Sequence, residues 1–373
     1  MYFSQGKFNK KEYLRKNRKR MKEAGDICVI SIPFVAGIVL SALLTSPFLC
    51  SSISLVLAAV LLLTLVCSRR DCRIPTAILY FCIGAFCHSA AALRGSGTSN
   101  GMLHSAFVPM LREFMISMPF SDESTPQLLC ALLSGDRSGV GRDIITAFRN
   151  SGASHILALS GLHLGVIYSI IVRLSSFAGR ARKVSFIRSL TIILICGTYS
   201  AAAGWSPSIV RAFLFISLNE ISKLQPGRIH SPVSVFFVVL TLQLIVNPLA
   251  ICTIGFQLSY LAVLGIVFIF PFLEKFYPEA GKYDPIHKIW SSAALSISCQ
   301  LTTAPVVWIY FQTFPKYFLL TNLISLPLAE LVILTALAAT VSYAVLPSFT
   351  APVTICEQCT QALVYCLNVI SSM

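Results

Sequence analysis

Apolar runs of about 20 residues recur along the whole chain, separated by short polar or basic breaks, and each is long enough to cross a hydrocarbon core of roughly 30 Å. Segments 27–49, 51–67, 74–93, 153–174, 186–203, 207–222, 231–247, 251–271, 289–310, 318–345 and 351–371 read as spans. None shows the period-2 alternation of a barrel strand, and backbone groups in lipid must be satisfied within the segment, so the pattern selects helices. The predicted fold class is all-α: a polytopic membrane protein with about eleven transmembrane helices plus interfacial helices.

The breaks divide the chain into four parts: a basic N-terminal arm at 1–26, a three-helix membrane unit at 27–93, an external stretch at 94–152, and a helical bundle at 153–373. Residues 94–101 read RGSGTSNG, a linker composition. Residues 104–118 alternate apolar positions with Arg112 and Glu113 and predict an interfacial helix on the outer surface. Ser121-Asp122-Glu123-Ser124 signals a helix start, so short helices near 125–134 and 142–150 are expected on either side of a GDRSGVG turn. No internal repeat is visible.

Composition agrees with a lipid solvent. Apolar residues make up 55% and charged residues 12%, about half the charged fraction of a soluble domain. The arm with nine Lys and Arg between Lys7 and Lys22, followed by a long apolar run with no clear A-x-A site, reads as a retained signal anchor. A net charge of +14 would fit a nucleic-acid partner, but its placement changes that picture. With the N-terminus inside, 22 of the 29 Lys and Arg fall on the cytoplasmic side. Most of the basic excess is therefore a topology signal, with the C-terminus external. Of thirteen cysteines most stand singly in apolar runs and read as small buried hydrophobes. Cys356 and Cys359 have C-x-x-C spacing without a second pair or a nearby His, so no metal site is assigned.

Several intramembrane polar residues are candidates for chemistry. Ser154, Ala158, Gly161 and Gly165, at spacings of four, three and four, form a small-residue stripe for close helix packing. His155 and His163, with Ser160 three residues before the second, would then line one broad polar face; interhelical hydrogen bonding and a permeation path are both open readings. Zinc would need further ligands such as Asp136 or Asp143, and none is assigned. Arg211 lies roughly 7 Å below the outer boundary of its span, within reach of Asp136; a structural ion pair and a phosphate contact are both open. His155, Gln257, Thr302, Thr303 and Asn322 also fall in the outer halves of their spans and predict an outward-facing polar vestibule. Phe256, Tyr260, Trp308 and Phe311 offer stacking surfaces, against the plainer reading of packing or an interfacial belt.

Residues 131–168, ALLSGDRSGVGRDIITAFRNSGASHILALSGLHLGVIY, closely resemble the signature of the competence domain of ComEC-type proteins. The resemblance continues in order through GWSPSIVRAF at 204–213, NPLAICTIGFQLSYLAVLGI at 247–266, and TTAP at 302–305 followed by Phe314 and NLISLPL at 322–328. It implies a channel passing single-stranded DNA across the cytoplasmic (inner) membrane in natural transformation, with Asp136, Arg137, His155, Ser160, His163, Arg211, Gln257 and Asn322 as candidates for the DNA path. The implied partners are single-stranded DNA, membrane lipid, a periplasmic DNA receptor, a separate nuclease, and cytoplasmic single-strand-binding proteins or a motor ATPase. No cofactor is implied. Fuller family members carry an external OB-fold and a metallo-β-lactamase-like domain; neither has room or signature here, so strand degradation by this chain is not expected. Competing readings are a small-solute transporter, a non-conducting scaffold paralogue, and an intramembrane hydrolase using Ser160 and His163. The last is weak: the surrounding sequence is A-L-S-G, with no base on another span.

Overall fold

The computed structural model describes residues 10–44, 46–67, 73–94, 102–175, 182–224, 231–277, 284–312 and 316–372. Residues 1–9 of the basic arm, the linker from 95 to 101, and Phe314 lie outside the described residues. All regular structure among the described residues is helical: α1 (Lys10–Leu43), α2 (Pro47–Cys67), α3 (Arg73–Arg94), α4 (Met102–Ser117), α5 (Ser124–Ser134), α6 (Arg142–Asn150), α7 (Ser154–Leu157), α8 (Gly161–Ser175), α9 (Arg182–Ala202), α10 (Pro207–Leu224), α11 (Pro232–Val246), α12 (Ile254–Leu264), α13 (Phe270–Glu274), α14 (Pro285–Phe311), α15 (Phe318–Val345) and α16 (Ala351–Ser371). A 3-10 turn, Pro248–Cys252, follows α11, and a π-helical turn, Gly265–Ile269, joins α12 to α13.

Among the described residues, seven helical stretches are long and apolar enough to cross a membrane, one of them running through α12 and α13 (Ile254–Glu274), and α2, α8 and α11 contribute shorter apolar stretches. The expected set of spans also includes α10, whose 18 residues carry Arg211, Glu220 and Lys223. Large apolar side chains such as Leu194, Ile309, Val341 and Tyr365 are exposed, as a lipid-facing surface requires. The chain is a helical membrane protein. One expected boundary moves: α1 ends at Leu43 and α2 starts at Pro47, because proline is accommodated in the first turn of a helix.

The helices divide into two units. The first contains α1, α2, α3, α11 and the 3-10 turn. Residues 231–252, placed by the sequence pattern in the C-terminal bundle, pack instead against α1 and α3. Gly37 and Gly84 let α1 and α3 touch backbone to backbone: a Cβ on Gly37 would fall on the Phe81 carbonyl, and one on Gly84 on the Phe34 carbonyl. Asp26 with Arg73 and Ser41 with His88 keep the same offset of 47 residues, so the two helices run parallel in one register.

The second unit holds the remaining helices. Its core is built on α5, where every residue from Leu128 to Leu133 is buried, packed with Val332, Ile333 and Ala336 of α15 and with Cys356 and Leu363 of α16. This corrects the expectation of interfacial helices throughout 94–152: α5 is apolar on all sides and therefore belongs inside. α8, α10, α12, α14 and α15 close a ring in which each helix packs on the next and α15 returns to α8.

Candidate functional site

The stretch from 151 to 165 is not one helix. α7 ends at Leu157, Ala158 is extended, and α8 starts at Gly161. Ser160 causes the restart. Its Oγ accepts the Leu162 N–H at 3.2 Å, while its own N–H donates to Nδ1 of His163 at 3.2 Å. That is a reciprocal capping box in which histidine takes the place usually held by Glu or Gln. The proposed small-residue stripe is therefore corrected. Ser154 is exposed on α7, Ala158 sits in the break, a Cβ at Gly165 would meet open space, and only Gly161 approaches a neighbour, the Ala212 side chain of α10.

The shared histidine face is corrected for the same reason. His155 is exposed on α7 with Nδ1 3.2 Å from the Gly152 carbonyl, whereas His163 is fully buried on α8. Because Nδ1 of His163 accepts a backbone N–H, the ring proton of the neutral form sits on Nε2. That atom is buried and has no partner among the described residues.

Arg211 does not reach Asp136. From the second turn of α10 its guanidinium donates to the Ser259 carbonyl of α12, and its cation lies 5.9 Å from the Tyr260 ring centroid. Gly161, at the start of α8, leaves room beside it: a Cβ there would come 3.6 Å from Nη2. Among the described residues no carboxylate forms an ion pair with Arg211. Asp136 is taken up elsewhere, by Arg112 of α4 and by Ser138, whose N–H and hydroxyl it accepts at 3.1 and 2.7 Å. Burial works against ionisation of Asp136, but the Ser138 hydrogen bonds and Arg112 outweigh it and hold the carboxyl below its usual range. Arg137 donates through Nε to the Leu157 carbonyl at the end of α7.

The other sequence candidates sit on the ring helices. Gln257 is half-buried on α12, one turn before Tyr260. Asn322 of α15 has a buried Oδ1 without a partner among the described residues. Thr302 and Thr303 turn their hydroxyls back to the Cys299 carbonyl of their own helix. Phe256 and Tyr260 pack against each other with centroids 4.4 Å apart, while Trp308 and Phe311 are exposed.

Structure adds what residue types alone did not reveal. Ser217 on α10, Ser259 on α12, Gln300 on α14 and Ser325 on α15 also hold buried polar atoms lacking a partner among the described residues. With His163 and Asn322, every helix of the ring carries one. Buried polar groups are nearly always paired, which sets these atoms apart from the apolar packing of the same helices. Glu220 of α10, fully buried, is satisfied: it accepts from Tyr168 of α8 at 2.8 Å, Ser189 of α9 at 2.9 Å, and Lys223. A carboxylate one turn before a lysine was the available signal for that pair.

The Competence protein family model matches residues 132–373. ComE operon protein 3 of Bacillus subtilis (strain 168) is 26% identical over 225 residues, covering 58% of this chain and 26% of the relative. The Uncharacterized protein YcaI of Escherichia coli (strain K12) is 23% identical over 209 residues, covering 55% of this chain and 27% of the relative. The chain thus matches about a quarter of the length of each of these relatives. No solved structure matches it significantly.

Proposed function

The chain belongs to the competence protein family, and from that premise we propose that it serves DNA uptake, passing a single strand across the cytoplasmic membrane through the ring formed by α8, α10, α12, α14 and α15. The observation that carries this reading is the set of buried polar atoms without a partner among the described residues, at least one on each ring helix, on the same ring as an arginine that pairs with none of the described carboxylates. A solvated polyanion needs such groups in place of its hydration. A fully desolvated phosphate would face a large penalty, which a guanidinium and polar side chains reduce.

In the proposed topology the N-terminus is cytoplasmic, and α8, α10, α12 and α15 begin at the outer face, where α14 ends. Arg211, Gln257, His163 and Asn322 then lie towards the outer mouth, where Arg211 engages phosphate in a sequence-independent way. A periplasmic receptor would present the strand, a separate nuclease would remove its complement, and cytoplasmic single-strand-binding proteins or a motor ATPase would draw it inward. No catalytic step is assigned to the chain. The Ser160 and His163 pair caps α8, with Nδ1 of His163 shared between the Ser160 N–H and its hydroxyl, each at 3.2 Å.

The test is Arg211→Gln in a transformable strain, with surface-bound and internalised DNA measured separately. Internalised DNA should fall roughly tenfold at normal protein abundance, an estimate for losing one charge-assisted phosphate contact. Arg211→Lys should recover part of it, because the charge is retained while the planar fork is lost. Normal import by Arg211→Gln protein made at normal levels overturns the mouth assignment.

A further inference from the structure

The register that brings Gly37 onto Gly84 places Ser41 of α1 against His88 of α3 one turn further along, and the 3-10 turn after α11 packs over both helices. Ser41 and His88 are both buried, 4% and 6% exposed. Nδ1 of His88 lies 3.1 Å from Ser41 Oγ, and Nε2 lies 4.0 Å from Cys252 Sγ. Cys252, the last residue of the turn, is exposed, whereas Cys28, Cys50, Cys82, Cys87, Cys130 and Cys196 are buried or half-buried.

We propose that Ser41, His88 and Cys252 form a relay that makes Cys252 a reactive thiol, a site for disulfide exchange with low-molecular-weight disulfides. The imidazole is fixed from both sides. With its proton on Nδ1 donated to Ser41, the Nε2 lone pair faces the thiol and takes its proton; Ser41 is the positioning residue. The Cys252 sulfur attacks one sulfur of the disulfide, the new S–S bond forms as the old one breaks, and the proton held on His88 passes to the departing thiolate. One mixed disulfide and one free thiol result, with no further oxidant. An exposed sulfur beside a buried base admits the reagent while keeping the base from solvent.

The test uses the full chain in detergent, exposed to oxidised glutathione at pH 7 and followed by site-resolved mass spectrometry. Cys252 should react about tenfold faster than the same cysteine in a peptide of residues 248–256, a modest gain for a base placed to take the thiol proton as the sulfur attacks. His88→Gln should remove that gain and Ser41→Ala should reduce it, with Cys82 unmodified throughout as the sign that this unit stays folded. A Cys252 rate equal to or below the peptide's overturns the proposal. So does an unchanged rate in His88→Gln. If His88→Gln exposes Cys82, Ser41→Ala decides, and an unchanged rate there overturns it.

Discussion

The Ser160 N–H donates to Nδ1 of His163 three residues later, and the Ser160 hydroxyl caps the same helix by accepting the Leu162 N–H. The most recognisable stretch of the sequence, ALSGLH, is thus a helix start that breaks an otherwise apolar run. Ser160→Ala should lower thermal stability in detergent by about 1 kcal/mol, the usual cost of losing an N-cap. His163→Gln should cost less than His163→Ala, because glutamine bonds back to the cap N–H. Equal losses for the two His163 variants would sink the capping-box assignment.

Gly37→Ala should destabilise the protein by about 2 kcal/mol, because its Cβ meets the rigid Phe81 carbonyl and α1 must move away from α3. Gly165→Ala meets open space and should be neutral or slightly stabilising, as alanine is the better helix former. Thermal unfolding of the two variants, measured side by side, checks the contrast; equal effects would contradict the backbone crossing.

Glu220 ties α8, α9 and α10 together through Tyr168, Ser189 and Lys223. Glu220→Ala leaves the buried Ser189 hydroxyl and the half-buried Tyr168 hydroxyl without their acceptor and the Lys223 ammonium without its carboxylate, a loss of about 3 kcal/mol. Tyr168→Phe removes the donation to Glu220 and the two exposed bonds that the hydroxyl accepts from Asn219 and Lys223, and should cost about 1 kcal/mol because exposed bonds contribute little. Chemical unfolding in mixed micelles gives both values, and a Glu220→Ala loss no larger than that of Tyr168→Phe would show that the carboxylate does not hold the three helices.

Asp122 and Asp136 both titrate below the usual carboxylate range. The causes are hydrogen bonds from Ser124 at the first, and those from Ser138 with Arg112 against opposing burial at the second. A depressed folded-state pKa stabilises the fold fully above the unfolded value near 3.9, and the contribution disappears as pH falls through the folded value. Hydrogen-exchange protection over residues 124–150, taken relative to the intrinsic amide rate at each pH, should therefore fall below about pH 4. Asp136→Asn should remove part of that acid dependence; an unchanged pH profile in the variant would contradict the assignment.

The proposed topology is read with reporters fused after Asn100 and after Met373. Both should report the external side, given 22 of 29 Lys and Arg on the other. Cytoplasmic activity at both points would reverse the orientation and place the Arg211 mouth on the inner face.

The sequence by itself determined that the chain is a helical membrane protein, because long apolar runs have one way to satisfy their backbone in lipid. It also determined the local grammar of the 121–152 stretch: α5 and α6 begin and end within a residue or two of expectation, since Asp122, Gly135 and Gly141 act on neighbours a few positions away. Arg211 could be singled out as costly within a span, but not its partners. Only the tertiary structure decided that Asp136 goes to Arg112 and Arg211 to Ser259, because the choice between acceptors depends on which helices pack together, and periodicity carries no such information. The same holds for α11 packing on α1 and its 3-10 turn on α3, for the closed ring of five helices, and for His88 meeting both Ser41 and Cys252. Even the break at Ala158 needed structure, because Ser160 within an apolar run reads equally well as a mid-helix serine or as a cap, and the difference lies in where His163 turns its ring.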